Sequence, residues 1–323
     1  MTDASRPSND TVRPTPRTEI DAKRWLDVDF PGLEFGVAEY AEGPTGCTVF
    51  AFGTSVSQHV DVRGGSTGVI GEGLPLIDAI CFAGGSQYGL EAATGAAAEL
   101  FARKSYSTQW NEIQRVAGAI IFDYGGRANA IYPDKELGRA AIRALRPGRF
   151  PLGPHGAGSL AKAGHGETAE IAGQGGAATK VGPTHLAVFA VINAYGAIID
   201  RRGDVVRGNR DAATGKRRRS EDVVAHEGAY YPPPDRGRVV TQNTNLTLLV
   251  TDQKLDALQL RSVARQVHSS MARAIQPFNT RWDGDALFAV STQRVANEKL
   301  DEVSLGVVAS EIAWDAVLAS FDP

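Results

Sequence analysis

The residue types that amide hydrolysis requires occur in two short segments of this chain. Thr244 directly follows Asn243, and Asp283 and Asp285 lie two residues apart. If the bond between Asn243 and Thr244 is cut, Thr244 gains a free α-amine beside its hydroxyl. An α-amine has a pKa of about 7.7–8.0, so it is partly neutral at physiological pH and is suited to accept the hydroxyl proton. The pair therefore predicts a self-processing hydrolase with an N-terminal threonine nucleophile.

The same hydroxyl accounts for the cleavage of the chain itself. In the uncut chain Thr244 attacks the carbonyl of Asn243, and water hydrolyses the resulting ester to release the new N-terminus. Asp283 and Asp285 project to one side if they lie on a strand, so that one orients the hydroxyl and the other the ammonium. Two close carboxylates also repel each other, which moves their pKa values apart. The side-chain amide of Asn193 is a candidate donor to the oxyanion.

Each of these features also has a simpler structural interpretation. An Asn-Thr pair before a strand is typical of a turn and a strand start, and Asp-Gly-Asp is typical of a turn or a cap. A buried Asn193 either satisfies backbone groups at a strand irregularity or belongs to a site. From spacing alone, the structural and the catalytic interpretations both stay open.

Composition excludes several classes of function. The 323 residues carry a net charge of −3, which argues against general nucleic-acid binding, and 42% are hydrophobic, enough for a substantial core. Cys47 and Cys81 are far apart and the six histidines are scattered, so the sequence predicts no disulfide framework, no metal site and no cofactor. No apolar run approaches the roughly 18 residues of a membrane span, and the N-terminus lacks the apolar core of a signal peptide. We expect a cytoplasmic protein.

Apolar periodicity indicates the strands and helices that would position these residues in one α/β domain. Residues 1–27 are polar and rich in Pro, Ser and Thr, which predicts a flexible or draped arm before a single hydrolase domain at 28–323. Residues 201–238 are charged, with a basic run at 216–219 and three consecutive prolines, which predicts a long, solvated loop. Strands are expected at 46–52, at 116–122, at 187–200 with interruptions at Asn193 and Gly196, from Thr244 and after Asp285. Helices are expected at 85–104, at 255–275, at 303–320, and from a cap at Asp134 through residue 145.

A series of short motifs runs through nearly the whole chain apart from the arm. The motifs are Asp29-Phe30-Pro31-Gly32, Glu42-Gly43-Pro44-Thr45-Gly46, Tyr88-Gly89-Leu90-Glu91-Ala92, Tyr132-Pro133-Asp134-Lys135, Val205-Val206-Arg207-Gly208-Asn209, Gln266-Val267-His268-Ser269-Ser270-Met271, Ile275-Gln276-Pro277-Phe278, Asp283-Gly284-Asp285, Ala309-Ser310-Glu311 and Trp314-Asp315-Ala316-Val317-Leu318. Through them the chain resembles the family of β-peptidyl aminopeptidases and nylon-oligomer hydrolases, and within that family it is most similar to the nylon-hydrolase branch.

The resemblance implies a four-layer αββα sandwich of the N-terminal nucleophile hydrolase type, in its DmpA-like form. It also implies cleavage into chains 1–243 and 244–323 that stay associated, and a homo-oligomer of these αβ heterodimers. By the resemblance, Thr244 matches the nucleophile, Asn243 the residue before the cut, Asp283 and Asp285 the paired acids, and Asn193 the site asparagine. The aminopeptidases resemble one another in having a Ser nucleophile with Ser and Glu at the acid positions. Threonine with Asp-x-Asp therefore favours the nylon-hydrolase branch.

Two positions depart from the nylon-hydrolase pattern. Phe122 stands where that branch has a site tyrosine, although Tyr124 lies two residues further on and could face the same way. The site lysine of the branch follows a Gly-Ala-Gly, which is residues 156–158 here. Ungapped alignment places His165 at the lysine position, but the segment is two residues shorter, and we favour Lys162. Phe122, Tyr124 and His165 remain candidate pocket residues.

Three functions are compatible with these residues. The favoured one is a self-processing threonine hydrolase that cleaves linear amides, such as 6-aminohexanoate (nylon) oligomers or related peptides, through an acyl-enzyme. Its partners would be small amide or peptide substrates, with neither nucleic acid nor membrane. The alternative is a β-peptidyl or N-terminal aminopeptidase, which would not accept a blocked amine. The third is a catalytically idle scaffold, for which Phe122 and the displaced lysine are the arguments.

Overall fold

The elements of the fold follow the apolar periodicity of the sequence. A computed structural model describes residues 6–227 and 243–322. Within these ranges the chain forms sixteen strands and six α-helices. The strands are β1 (Arg24–Val28), β2 (Leu33–Tyr40), β3 (Thr45–Val62), β4 (Val69–Ile70), β5 (Leu76–Ala83), β6 (Val116–Ile120), β7 (Arg146–Leu152), β8 (Lys162–Ala163), β9 (Glu170–Ile171), β10 (Gly173–Val181), β11 (Thr184–Asn193), β12 (Ala197–Ile199), β13 (Val205–Arg207), β14 (Thr244–Gln253), β15 (Ile275–Gln276) and β16 (Ala286–Val295). The helices are α1 (Asn9–Val12), α2 (Leu90–Arg103), α3 (Lys135–Arg143), α4 (Ser220–Glu227), α5 (Ala257–Ser270) and α6 (Glu302–Leu318).

An aspartate caps the start of α3 and of α6. The Leu137 N–H donates to the Asp134 carboxylate at 3.1 Å at the start of α3, which confirms the predicted cap. The Ser304 N–H donates in the same way to Asp301 at 2.7 Å, before α6. In the described part of the chain, no helix is both long and apolar enough to cross a bilayer.

Strand β3 passes from one sheet into the other. Its first half pairs with β2 and β5, and its last six residues, 57–62, pair with β16. The first sheet has the order β1-β7-β2-β3-β5-β6-β4, and the second has the order β3-β16-β14-β11-β10. Neighbours are antiparallel except for the pairs β5–β6 and β14–β16, which are parallel. One long strand therefore joins two sheets that lie face to face.

Three hydrophobic clusters divide the molecule into four layers. Between the sheets, the rings of Phe50, Phe150 and Phe189 pack with centroids 4.9 to 5.8 Å apart. A second cluster joins the outer face of the first sheet to α2 and α3, and a third joins the outer face of the second sheet to α5 and α6. The resulting order, helix–sheet–sheet–helix, confirms the predicted αββα sandwich.

Two predicted elements have the wrong bounds. The strand expected at 187–200 is two strands, because the chain leaves the sheet after Asn193 and resumes as β12 in a separate sheet with β13 and β15. Gly196 lies at the break, where a Cβ would lie 2.2 Å from the Pro277 carbonyl oxygen. The helix expected at 255–275 is α5, which starts after the cap Asp256 and ends before Ile275 pairs with β12.

The segments expected to be loop or arm carry structure where they are described. The segment 201–238 contains β13 and α4, and residues 228–238 lie outside the described ranges. The Arg217 guanidinium donates to Glu170 at 2.6 Å, so part of the basic run is paired. Residues 6–27 lie along the body of the fold. There Asn9 donates to Asp134 at 2.7 Å, Arg17 bridges Glu39, and β1 starts inside the segment assigned to the arm.

Candidate active site

Three strand ends meet at one edge of the second sheet. Because β14 and β16 are parallel, their starting ends share that edge, so that Thr244 at the start of β14 lies beside the residues just before β16. Strand β11 is antiparallel to β14, and its last residue, Asn193, is the register partner of Thr244. The topology thus brings together Thr244, Asn193 and the segment with Asp283 and Asp285, although up to 92 residues separate them in sequence.

The carbonyl of Asn243 receives two hydrogen bonds. The Thr244 hydroxyl donates to it at 2.7 Å, and the Gly284 N–H donates to it at 2.8 Å. The Asn243 N–H in turn donates to the Trp282 carbonyl at 3.4 Å, so that Asn243 forms an isolated parallel bridge with Asp283. Two donors on one carbonyl oxygen polarise the bond and make its carbon a better electrophile. The nucleophile candidate therefore lies next to a polarised amide.

Gly284 fits this place because it has no side chain. A Cβ at residue 284 would lie 2.6 Å from the Thr244 hydroxyl oxygen and 2.6 Å from the Ser66 carbonyl oxygen. Both distances are far below van der Waals contact, so only glycine brings its N–H to the Asn243 carbonyl with this backbone path.

Asp283 is buried and accepts three hydrogen bonds. Thr280 donates to one carboxylate oxygen from its backbone N–H at 3.0 Å and from its hydroxyl at 2.6 Å. The Tyr195 N–H donates to the other oxygen at 3.3 Å. Burial raises the pKa of Asp283, and these donors oppose that effect only in part.

Asp285 is fully buried and also accepts three hydrogen bonds. Asn245 donates from its backbone at 2.7 Å and from its side-chain amide at 2.9 Å, and the Asn279 N–H donates at 3.1 Å. Burial, together with the neighbouring Asp283 charge, raises the pKa of Asp285 to about 8. The two carboxyl groups therefore keep a proton between them at neutral pH.

A turn after β3 holds the backbone of the acid segment. The N–H groups of Arg63 and Gly64 donate to the Asp285 carbonyl at 3.0 and 3.2 Å, and the Ser66 N–H donates to the Asp283 carbonyl at 2.9 Å. A Cβ on Gly64 would lie 2.2 Å from the Asp285 nitrogen, so the two segments are in backbone contact. The positions of both acids are thus fixed from a part of the chain that lies more than 200 residues earlier.

Asn193 connects two further segments to the edge where Thr244 lies. Its side-chain N–H donates to the Phe122 carbonyl at 3.0 Å, and its side-chain oxygen accepts from the Lys162 N–H at 3.1 Å. The amide thus satisfies backbone groups, as one of the two sequence interpretations expects. The same bonds bring Phe122 and Lys162 next to Thr244's register partner.

The remaining predicted pocket residues lie beside these segments. The rings of Phe122 and Tyr124 contact each other edge to face with centroids 5.8 Å apart, and Arg127 lies over the Tyr124 ring at 4.2 Å. Burial raises the pKa of Tyr124 to about 12. His165 packs against the ring of Tyr195 at 5.5 Å, and the Tyr195 N–H is one of the donors to Asp283.

Donor groups on four residues at the site were missed by sequence reasoning. They are the N–H and hydroxyl of Thr280, the amide of Asn245, the Gly284 N–H and the Tyr195 N–H. Two of them have a local signal: Thr280 lies three residues before Asp283, a spacing at which a hydroxyl reaches a side chain within one turn, and Asn245 is a polar residue in an otherwise apolar strand. Within residues 6–227 and 243–322, no group of three or more His, Cys, Asp or Glu side chains is placed to hold a metal ion.

Comparisons with known proteins agree on the type of molecule. The family model described as Peptidase family S58 matches residues 27–321. A 6-aminohexanoate-oligomer endohydrolase from an Agromyces species is 42% identical over 326 aligned positions, which cover 97% of this chain and 90% of that protein. An uncharacterised aminopeptidase of Mycobacterium tuberculosis is 30% identical over 258 positions, 73% of this chain and 70% of that protein.

Solved structures show the same fold. The L-aminopeptidase D-Ala-esterase/amidase of Ochrobactrum anthropi, a variant of the Ntn hydrolase fold, superposes with a TM-score of 0.65 at 17% sequence identity, covering 90% of this chain and 84% of that protein. At this identity the likeness concerns the arrangement of the sheets and helices and carries no statement about substrate.

Proposed function

Because the chain belongs to peptidase family S58 and is thus an amide hydrolase, we propose that it cleaves itself between Asn243 and Thr244 and then uses Thr244 as its nucleophile. The observation that carries the proposal is the environment of that one peptide bond. Its carbonyl oxygen accepts hydrogen bonds from the Thr244 hydroxyl and the Gly284 N–H. Asp285, whose pKa is raised, accepts a hydrogen bond from the N–H of the following residue, Asn245.

Self-cleavage proceeds in two steps in this proposal. Thr244 Oγ adds to the carbonyl carbon of Asn243 and its proton passes to the acid pair. The C–N bond then breaks, the leaving nitrogen takes a proton and becomes the Thr244 α-amine, and an ester joins Asn243 to the Thr244 oxygen. Water hydrolyses the ester to give a carboxylate and the free hydroxyl.

Substrate hydrolysis repeats the same chemistry with the new α-amine as base. The amine takes the Thr244 hydroxyl proton, Oγ attacks the amide carbonyl of the substrate, and the protonated amine passes the proton to the leaving nitrogen. Water then attacks the acyl-enzyme ester and releases the acid. In this proposal Asp283 and Asp285 stabilise the positive charge of the N-terminal ammonium and orient it.

The two chains produced by the cut, 1–243 and 244–323, are proposed to stay together. Strand β14 is buried along its whole length and is hydrogen-bonded to β11 on one side and β16 on the other. Since β11 and β3 belong to the first chain and β14 and β16 to the second, one sheet contains both products. Separation would expose this sheet and the cluster beneath α5 and α6. We extend the proposal to a homo-oligomer of such heterodimers.

Lys162 is proposed as the site cation. Its backbone N–H donates to the side-chain oxygen of Asn193, and Asn193 is the register partner of Thr244. His165 instead packs its ring against Tyr195. Phe122 and Tyr124 are proposed to line the substrate pocket.

Linear amides of the 6-aminohexanoate type are the proposed substrate class. The endohydrolase relative is 42% identical over 97% of this chain, against 30% over 73% for the aminopeptidase relative. This chain also has Thr244, Asp283 and Asp285 at the positions where the aminopeptidases resemble one another in having a Ser nucleophile with Ser and Glu.

The test is turnover of a linear 6-aminohexanoate trimer by purified protein, with products identified by liquid chromatography and mass spectrometry. The proposal expects free acid and shorter oligomers from the wild type and none from Thr244→Ala; equal turnover by the variant would contradict it. The trimer with an acetylated amine separates the two modes of action. An endohydrolase cleaves the blocked trimer, whereas an aminopeptidase cleaves only the free one.

A further inference from the structure

The carbonyl oxygen of Asn243 lies where negative charge would develop during attack by Thr244. When Oγ adds to the carbonyl carbon, that oxygen becomes an oxyanion and requires a hydrogen-bond donor. The Gly284 N–H is 2.8 Å from this oxygen. Donors that stabilise oxyanions lie about 2.7–3.1 Å from the oxygen. The Thr244 hydroxyl also donates to it, but this hydroxyl loses its proton on attack and cannot remain a donor.

Two side chains that the sequence offered for the site do not bind this oxygen. The Asn193 side-chain amide donates to the Phe122 carbonyl at 3.0 Å, whereas the Asn243 carbonyl accepts from the Thr244 hydroxyl and the Gly284 N–H. Phe122 has no hydroxyl to contribute. The N–H groups of Tyr195, Asn245 and Thr280 donate to the carboxylate oxygens of Asp283 and Asp285.

We propose that the backbone N–H of Gly284 is the oxyanion donor of this enzyme, both in self-cleavage and in hydrolysis of substrate. The assignment rests on the proposed function of Thr244. It differs from the role that sequence analysis gave to Asn193, which here holds the backbone of its neighbours.

The Gly284 N–H is held in place before reaction. The carbonyls on either side of it, of Asp283 and Asp285, are fixed by the N–H groups of Ser66, Arg63 and Gly64 at 2.9 to 3.2 Å. A donor that needs no reorganisation stabilises a developing charge more than a mobile one does.

The same donor serves substrate because the nucleophile does not change place. Thr244 remains the first residue of β14, held between β11 and β16. In this proposal a substrate carbonyl that Thr244 Oγ attacks takes the position that the Asn243 carbonyl left. The oxygen of the substrate carbonyl then faces the Gly284 N–H. The residues before Thr244 thus occupy, before cleavage, the place that substrate takes afterwards.

The test removes this single N–H without adding atoms. Glycolic acid is incorporated at position 284 during cell-free translation, which replaces the amide by an ester. The time course of self-cleavage is followed by gel electrophoresis and intact mass. We expect the rate constant to fall by about 10²- to 10³-fold, the usual effect of removing one oxyanion donor. Once the ester variant at 284 has finished cleaving itself, its kcat and kcat/KM for the trimer are measured. Both should fall together, since the hydrogen bond to the oxyanion forms only in the transition state.

Two matched controls separate this effect from damage to the fold. Glycolic acid at Gly53 removes an N–H that donates to the Gly32 carbonyl at 2.9 Å outside the site, and this variant should cleave at close to the wild-type rate. The ester at Ser66 removes the donor to the Asp283 carbonyl, which the ester at 284 also weakens, and should slow cleavage less than the ester at 284 does. If the ester at 284 cleaves as fast as the ester at Ser66 while the wild type cleaves normally, the Gly284 assignment is wrong and the proposed function stands. A wild type that neither cleaves nor hydrolyses the trimer overturns both.

Discussion

Asp285 is tied directly to Asn245, which donates to its carboxylate at 2.7 Å from the backbone and 2.9 Å from the side-chain amide. Asn245 follows Thr244 in the chain, so the acid is bound to the strand that Thr244 begins. Full burial nevertheless raises the pKa of Asp285 to about 8. A carboxyl group that keeps its proton at neutral pH and is fixed to the strand of Thr244 is suited to proton transfer in the proposed self-cleavage.

Substitution of Asp285→Asn keeps the shape of the side chain and removes its titratable proton. We expect self-cleavage to slow by about 10²- to 10⁴-fold, the usual contribution of acid–base catalysis. The uncut fraction is measured over time by gel electrophoresis. Asp78→Asn is the control, because Asp78 is a buried acid on β5 that accepts hydrogen bonds from Ser55 and Arg115 away from Thr244. Equal slowing of the two variants would count against a specific role for Asp285.

The raised pKa of Asp285 also predicts how stability depends on pH. Its folded pKa of about 8 exceeds the roughly 3.9 of an unfolded aspartate, so the folded chain binds more protons between these values. This contribution to the free energy of unfolding is full below about pH 4 and is lost as the pH rises through about 8.

Urea titrations in an uncut Thr244→Ala background isolate this contribution. The free energy of unfolding of Thr244→Ala minus that of the double variant with Asp285→Asn should fall from pH 4 to pH 8 and then level off. A difference that stays flat from pH 5 to pH 8 would show that the folded pKa of Asp285 is not raised.

Gly284→Ala places a methyl group 2.6 Å from both the Thr244 hydroxyl oxygen and the Ser66 carbonyl oxygen. One of them must move, so we expect self-cleavage to be lost or strongly slowed, with a destabilisation of about 1–3 kcal/mol from overpacking. Gly73→Ala is the matched control, since a Cβ there has no heavy atom within 4 Å. Intact mass and thermal unfolding are compared for the two. Normal cleavage by Gly284→Ala would contradict the close approach.

Asn193→Ala leaves the Phe122 carbonyl and the Lys162 N–H without their partner in a site where Asn193 is only 4% exposed. We expect a loss of about 1–3 kcal/mol for each buried group left unpaired, measured by urea unfolding in the Thr244→Ala background. Self-cleavage should slow less than it does with the ester at Gly284. The opposite order of the two rates would return the oxyanion role to Asn193.

Local signals in the sequence predicted much of the framework. Alternating apolar residues after Thr244 placed the start of β14 correctly, and Asp134 was recognised as the cap of α3. The order of layers came from the resemblance and is confirmed by the three clusters. Bounds failed where a tertiary contact ends an element: Ile275 looks helical by its spacing but pairs with β12.

The chemistry of the site depends on contacts that no local pattern contains. Arg63 and Gly64 hold the backbone of Asp285 across more than 200 residues of sequence, and the Gly284 N–H gains its role only from the pairing of Asn243 with Asp283. Sequence types identify side chains that can react. They do not identify a backbone N–H as a participant, because every residue except proline has one.

Intact mass of the purified wild type under denaturing conditions tests the central proposal most directly, with Thr244→Ala and Thr244→Ser measured beside it. The account predicts two wild-type species that divide the chain between Asn243 and Thr244 and whose masses add up to the precursor plus one water. It predicts a single 34.3 kDa species for Thr244→Ala and cleavage of Thr244→Ser, which keeps a hydroxyl. A single 34.3 kDa species for the wild type, or a cut at the same bond in Thr244→Ala, would contradict Thr244 as the self-processing nucleophile.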